Sequence, residues 1–270
     1  MEPLLLDLEL ARRIELTEAR AGAAAAEGLA RLRPESGAAV ERIAGGYALY
    51  AGAGSPVTQA VGLGLAGAVS KEEFARLETF YRDRNEPVRA EVCPLADASL
   101  FEHFGAAGYR VTEFSNVMAC RLPNGGEKLR REDSIEVTRI AAEQIDLWNL
   151  TVAQGFSSGA AVSEEMLEVM KGFALAEGVE CYLASVEGAA AGGGTLSVRD
   201  GVAGLFGAST LPAYRKRGIQ RALLQARLAR GAELGCELAA CLAQPGSSSQ
   251  RNMVRHGFQV LYTRVKFEKH

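Results

Sequence analysis

The sequence predicts a mixed α/β protein built as two similar units, and three observations carry that expectation. First, apolar spacing switches between a period near 3.6 and a period of two many times along the chain, so helices and strands alternate. Second, a helix, a Gly-aromatic pair and a strand recur in the same order near the end of each half. They are 99–107, Gly108-Tyr109 and 111–122, then 247–256, Gly257-Phe258 and 259–267, with Gly108 and Gly257 149 residues apart. Third, Pro123-Asn124-Gly125-Gly126-Glu127-Lys128-Leu129-Arg130-Arg131-Glu132-Asp133 joins turn residues to a charge run without apolar periodicity, as a connector does. Any mixed chain gives some echo of this kind; the matched order near both ends favours duplication. The expected division is 1–122, a linker at 123–133, and 134–270.

In the first half, the pattern predicts a helix over 8–32, strands over 39–50 and 58–67, a helix over 70–84, a strand over 88–93, a helix over 99–107 and a strand over 111–122. In the second half, 135–140 alternates as a strand. A helix over 141–154 places Ile145, Trp148 and Val152 on one face, and Ser163-Glu164-Glu165 opens another that runs to about 176. The stretches 181–186 and 189–198 read as a hairpin joined at Glu187-Gly188, and 201–210 as the next strand. The helix over 218–234 is amphipathic, with Ile219, Ala222, Leu223, Ala226 and Ala229 on one face. A strand over 237–242, a short helix over 247–256 and a final strand complete the chain. Ser247 and Gln250 fit a capping box, and Gly257 a C-terminal stop.

Composition narrows the class of function. At 270 residues the chain is long enough for a sizeable core, and 48% hydrophobic with 23% charged residues is ordinary for a globular protein. The net charge of −3 gives no global field for nucleic acid. Cys93, Cys120, Cys181, Cys236 and Cys241 are odd in number, widely spaced and without a C-x-x-C pair. That argues against a disulfide framework or a metal site and for reduced thiols in the cytoplasm. No signal-peptide pattern opens the chain, and no uncharged apolar run approaches the roughly 18 residues of a membrane span. The expected partners therefore exclude nucleic acid and membrane; the oligomeric state is not legible.

Charge is placed unevenly, however. Between Asp200 and Glu233 there is no acid, while Arg215, Lys216, Arg217, Arg221, Arg227 and Arg230 all fall there. Such a stretch in a mildly acidic chain suits a small anionic ligand. Within it, a strand ends at Ala208-Ser209-Thr210, a Pro-containing turn follows, and a helix begins at Gly218. The first turn of a helix offers N–H groups without intrahelical partners, and its dipole attracts an anion. Gly218 allows a phosphate to approach the backbone closely. Arg215 and Arg217 add charge-assisted donors. The bland alternative is a basic turn that merely begins a helix, but arginines there oppose the dipole and call for a compensating anion.

This segment resembles the acetyl-CoA signature of the GCN5-related N-acetyltransferases (GNAT), Arg/Gln-x-x-Gly-x-Gly/Ala. Arg215, Gly218 and Gln220 stand at the matching positions, with Gln220 in place of the usual small residue. Pro212-x-Tyr214 matches the family's approach to the turn, and Ser249-Gln250-Arg251-Asn252 with Gly257-Phe258 looks like the helix and turn that close the coenzyme site. The resemblance covers 133–270 and implies that 134–270 is an acetyl-CoA-binding GNAT domain and 1–122 a degenerate copy. It implies acetyl-CoA as co-substrate, no metal, and an amine of a small molecule or peptide as acceptor. By the same resemblance Ala208, Ser209 and Thr210 hold the pantetheine through the backbone. Arg215, Lys216, Arg217, Gly218, Ile219 and Gln220 hold the pyrophosphate, and strand N–H groups stabilise the oxyanion.

No catalytic acid or base can be assigned from the sequence. The strand before the turn contains no carboxylate, and Met253 occupies the place of the family's tyrosine acid; a thioether has no proton to give. Ser249, Cys241 and His256 have no spacing argument, and Glu180 and Glu187 read first as surface residues. A coenzyme-binding or structural protein without transferase activity is therefore the alternative. The equivalent stretch of the first half, Gly64-Leu65-Ala66-Gly67-Ala68-Val69-Ser70-Lys71-Glu72-Glu73, has glycines but lacks the signature, and two acids begin its helix.

Overall fold

Local signals in the sequence account for most of the elements in a computed structural model, which describes residues 4–122, 135–157 and 161–269. Asp7 caps α1 (Leu8–Leu32) by accepting from the Leu10 N–H at 2.7 Å. The buried face of α1 is mostly alanine and glycine, and Gly22 lies so close to Leu49 that a Cβ would stand 2.7 Å from its Cδ1. The helix can therefore press directly onto the strands below it.

The expected strand over 39–50 is a hairpin, β1 (Ala39–Ile43) and β2 (Gly46–Tyr50). Ala44 and Gly45 both take positive φ, +49° and +80°, which is the backbone of a two-residue type I′ turn. The expected strand over 58–67 shrinks to β3 (Ala60–Val61), because Gly62, Gly64 and Gly67 all leave the extended region. Then follow α2 (Lys71–Arg82), β4 (Arg89–Val92), α3 (Ala98–Ala106) and β5 (Arg110–Arg121). The connector expected at 123–133 lies outside the described residues.

After it come β6 (Glu136–Arg139), α4 (Ile145–Ser157), α5 (Glu164–Ala174), β7 (Val179–Val186), β8 (Ala189–Arg199) and β9 (Val202–Thr210). A single turn of 3-10 helix at Pro212–Tyr214 leads into α6 (Ile219–Glu233), and β10 (Leu238–Ala243), α7 (Ser248–Arg255) and β11 (Gln259–Glu268) end the described chain. The order strand, helix, strand, helix, strand thus occurs twice, as β3-α2-β4-α3-β5 and as β9-α6-β10-α7-β11. Both α3 and α7 end the same way: the aromatic N–H reaches back five residues, Tyr109 to the Phe104 carbonyl and Phe258 to the Met253 carbonyl. Gly108 and Gly257 supply the positive φ that this C-terminal motif requires.

Two compact units result: Met1–Cys120 with Ala240–His270, and Arg121–Ala239. The sequence division grouped 240–270 with the second half; by contacts these residues group with the first. In the first unit β1, β2 and β3 pair antiparallel, β3 and β4 parallel, and β11 lies between β4 and β5, antiparallel to both. Its core joins α2 and α3 to the strands through Phe74, Leu77, Phe80, Tyr81, Leu100 and Phe104. On β11, the fully buried Arg264 pairs with Glu15 (2.7 Å), Glu91 (3.0 Å) and Glu18.

In the second unit β6, β7, β8 and β9 form an antiparallel series. Trp148 and Val152 of α4 pack on Cys181 and Leu183 of β7, and the Trp148 indole donates to the Tyr182 carbonyl at 3.1 Å. Three consecutive glycines on β8 make room for neighbours. A Cβ at Gly192 would meet the Ser209 carbonyl at 2.6 Å, one at Gly193 the Val152 side chain at 2.6 Å, and one at Gly194 the Arg227 guanidinium at 3.0 Å.

Candidate functional site

β9 delivers the chain to the predicted turn. Ser209 and Thr210 are buried and Ala208 half-buried. The Ser209 hydroxyl donates to the Val152 carbonyl at 2.8 Å, and the end of α4 lies so near that a Cβ at Gly155 would stand 2.3 Å from Ser209 Oγ. The Leu211 N–H bonds the Ala191 carbonyl (2.9 Å), and the 3-10 turn closes with Tyr214 N–H on Leu211 (2.9 Å) and Arg215 N–H on Pro212 (3.3 Å).

The chain then turns sharply. Lys216 adopts φ +64° and Gly218, the N-cap of α6, φ +86°. That left-handed backbone favours glycine at 218. No side chain caps α6, and its first intrahelical bond runs from the Ala222 N–H to the Gly218 carbonyl at 3.0 Å. By helix geometry the N–H groups of Ile219, Gln220 and Arg221 precede that bond and point out of the helix end.

The side chains around this end have distinct tasks. Arg215 donates to the Gly155 carbonyl at 3.1 Å, which ties the turn to the last part of α4. Lys216 and Arg217 are exposed, and the Arg217 guanidinium carbon lies 5.4 Å from the centre of the Tyr214 ring, within cation–π range. Ile219 is buried and anchors the first turn. Gln220 bonds through Nε2 to Thr210 Oγ1 at 2.9 Å. That bond explains how a glutamine fits where the signature has a small residue: its side chain is folded back onto the strand end, and its N–H stays in the helix end.

The basic stretch is not one patch. Arg227 is only 2% exposed and donates to carbonyls of Leu223 and Thr195, both at 3.0 Å. Arg230 bonds Glu180 at 3.0 to 3.2 Å. Glu180 also accepts from Arg139 (2.9 Å) and Tyr182 (2.7 Å). Burial pushes its carboxyl up, but these bonds together outweigh burial and hold it below the ordinary range, so it is a committed ion-pair partner. Glu187 sits in the β7–β8 turn at φ +52°. Burial pushes the Cys181 thiol up to about 12, which keeps it protonated.

In the first unit, Met253 of α7 is buried, and His256 caps that helix with Nδ1 2.8 Å from the Asn252 carbonyl. The Gln250 N–H bonds Ser247 Oγ as expected, while Gln250 Oε1 accepts from Gly246 N–H, one residue earlier than a capping box requires. Among the described residues no group of three His, Cys, Asp or Glu side chains is placed to hold a metal, and no helix is long and apolar enough to cross a membrane.

Comparison with known proteins adds a family match that spans the turn and its helix. Residues 146–258 match the model of the Acetyltransferase (GNAT) family. No curated protein matches the sequence. Among solved structures, a GCN5-related N-acetyltransferase from Kribbella flavida is similar at 15% identity with a TM-score of 0.65, over 93% of this chain and 95% of that one. A tandem GNAT protein from the clavulanic acid biosynthesis pathway is similar at 13% identity with a TM-score of 0.59, over 97% and 94%. A GCN5-related N-acetyltransferase from Sphaerobacter thermophilus covers 71% of this chain and is itself covered over 64%, at 19% identity and a TM-score of 0.54. Over nearly its whole length the chain has the mixed, mostly antiparallel tandem GNAT fold.

Sequence reasoning missed Gly155, Arg227 and the link from Gln220 to Thr210. The glycine run at 192–194 was the available signal, since consecutive glycines inside a strand mark close approach by neighbours. Arg227 carried no such signal, because an arginine in a basic stretch reads as surface.

Proposed function

We propose that the protein is an N-acetyltransferase that moves an acetyl group from acetyl-CoA to an amine of a small molecule or peptide. The observation that carries this reading is the uncapped start of α6 behind Gly218, inside a GNAT-family domain. N–H groups of Ile219 and Gln220 at that helix end suit an anion, with Lys216 and Arg217 exposed beside them, as a pyrophosphate requires. Arg215 contributes charge while fixing the turn against α4. Ala208, Ser209 and Thr210 offer the strand end along which the pantetheine lies.

The amine nitrogen attacks the thioester carbonyl, whose oxygen gains negative charge; collapse breaks the C–S bond and expels the coenzyme thiolate, which takes up, through solvent, the proton that the nitrogen loses. β9 has one residue more than β8 between the pairs Gly193–Ser209 and Thr195–Phe206, which turns backbone groups at Gly207 and Ala208 out of the regular ladder and makes their N–H groups suited donors to that oxygen. A thiolate is a good leaving group, so transfer proceeds without a tyrosine where Met253 stands. That methionine, with the lack of a carboxylate on the strand before the turn, favours a second reading, a coenzyme-binding protein without turnover. Heat-shift stabilisation by acetyl-CoA followed by thiol release across an amine panel tests the proposal. No stabilisation refutes it; stabilisation without thiol release from any amine leaves the second reading standing.

A further inference from the structure

β9 carries one residue more than β8 between the pairs Gly193–Ser209 and Thr195–Phe206, and Gly207 takes φ +58° to accommodate it. A bulge leaves ladder groups without their usual partners, and buried ones must find others. The Phe206 carbonyl accepts from Thr195 Oγ1 at 2.6 Å and has Arg227 Nη1 at 3.5 Å. The same Arg227 nitrogen donates to the Thr195 carbonyl at 3.0 Å, across the bulge on β8, while Nε donates to the Leu223 carbonyl of its own helix at 3.0 Å. Gly194 leaves the space: a Cβ there would stand 3.0 Å from the guanidinium carbon.

Desolvating a guanidinium is costly, and an inward position on an amphipathic helix normally takes an apolar side chain. What arginine supplies is a planar fork that braces several carbonyls at once. We infer that Arg227 is a positioning residue: by bracing the Thr195 and Phe206 carbonyls it fixes the Gly207–Ala208 bulge relative to α6 and so seats the thioester arm of the donor. The inference rests on the proposed function, in which one ligand spans both parts, its pyrophosphate on the start of α6 and its arm along β9. Arg227 touches neither part of the ligand and acts through the backbone it holds.

The test compares two probes by calorimetry on the full chain. Coenzyme A carries the pantetheine arm; 3′-phosphoadenosine 5′-diphosphate carries the pyrophosphate and lacks the arm. Arg227→Met weakens coenzyme A by about tenfold and the truncated probe by less than about twofold, because only the arm reads the bulge. Equal weakening of both probes makes Arg227 a general support of the unit and overturns the inference, as does an unchanged affinity for coenzyme A. Wild-type protein that binds neither probe removes the donor site itself, and the inference with it, before any variant is made. Should Arg227→Met not fold, Thr195→Val deletes the hydroxyl on the same Phe206 carbonyl with little change of shape. It weakens coenzyme A selectively by about threefold, and a lack of selectivity there overturns the inference equally.

Discussion

The starts of α2 and α6 follow a strand in the same order of elements, yet they solve the same backbone problem in opposite ways. At α2, Ser70 Oγ accepts from the Glu73 N–H at 3.1 Å and the Glu73 carboxylate accepts from the Ser70 N–H at 3.0 Å. The Ser99 hydroxyl takes the Val69 N–H at 2.8 Å, and Glu72 and Glu73 place negative charge at the positive end of the dipole. This helix has answered its own orphan donors. At α6 no side chain caps the end, the N-cap is a left-handed glycine, and the neighbouring side chains are cations. A helix that declines its own cap and carries like-signed charge loses stability in the free protein, and a bound anion restores it. On the proposed reading, α6 offers a phosphate the kind of donors that α2 has already filled with its own side chains.

The largest expected effect comes from making α6 resemble α2. Gly218→Asp supplies a carboxylate at the N-cap, which blocks a pyrophosphate by charge and volume, and should reduce acetyl-CoA affinity by at least about a hundredfold. Its stability should change little. A capping aspartate contributes roughly 0.5–2 kcal/mol, while a non-glycine residue in the left-handed region costs roughly 1–2 kcal/mol. Calorimetry for affinity and urea unfolding for stability check the two halves of this statement. An undiminished acetyl-CoA affinity in the variant would remove Gly218 from the site.

The units also bury their cations differently, and that difference has a pH signature. Arg227 donates to the carbonyls of Leu223 and Thr195, and Arg264 pairs with the carboxylates of Glu15, Glu18 and Glu91. Around Arg264 stand Glu15, Glu18, Glu91, Lys266 and the hydroxyl of Tyr262, with Cys93 nearby. Glu15 Oε2 is buried without a hydrogen-bond partner. Burial raises the Glu15 carboxyl above its ordinary value, and Glu18 raises it further, against the pull of Arg264. The folded state therefore holds this proton more tightly than the unfolded chain. Its contribution to stability is complete below the unfolded value of 4.5 and is lost as pH rises through the folded value. The slope from one such group is at most about 1.4 kcal/mol per pH unit. Glu15→Gln keeps an acceptor for Tyr262 and Arg264 and should flatten urea midpoints above pH 4.5 relative to wild type. An unaltered pH profile would show that Glu15 is ionised in the folded protein throughout.

A smaller effect separates the two helix starts from the other side. Ser70→Ala removes the α2 cap and should destabilise by about 1 kcal/mol without opening a second coenzyme site, because Glu72 and Glu73 remain to repel phosphate. Urea unfolding reads the loss, and calorimetric stoichiometry should stay at about one coenzyme per chain. A second equivalent site in either protein would show that the acids are no barrier.

Where the fold was legible, a side-chain pattern and a backbone demand coincided. The strand end, Pro212 turn, Gly218 and amphipathic helix all stand at the expected places because each is encoded locally. The hairpin within 39–50 was illegible, since Ala44 takes a positive φ that alanine does not advertise, and the strand over 58–67 failed because its glycines serve turns. The grouping of β11 with β4 and β5 is a long-range pairing that no local pattern specifies. The candidate site was legible in its backbone and illegible in its braces. Gly155, Arg227 and the bond from Gln220 to Thr210 depend on which surfaces meet, and spacing along one segment does not state that.

The smallest effect should come from Gln220, and it tests whether backbone or side chain holds the anion. The signature's small residue is replaced here by a side chain that bonds Thr210 Oγ1 at 2.9 Å. If that side chain only ties helix to strand, Gln220→Ala deletes one neutral hydrogen bond and should cost roughly 0.5–1.5 kcal/mol of stability. The N–H of residue 220 survives the substitution, and alanine favours the helix more than glutamine does, so the donors at the start of α6 stay in place. Coenzyme A affinity should then change by less than about threefold. Thr210, released from Gln220, keeps its backbone in β9, where Gly192 opposes it in the ladder. Urea midpoints and calorimetry on the same preparation read both quantities. A tenfold or larger loss of coenzyme A affinity, with stability intact, would mean that the Gln220 amide itself faces the ligand and that the side chain, not the peptide, compensates for the missing small residue.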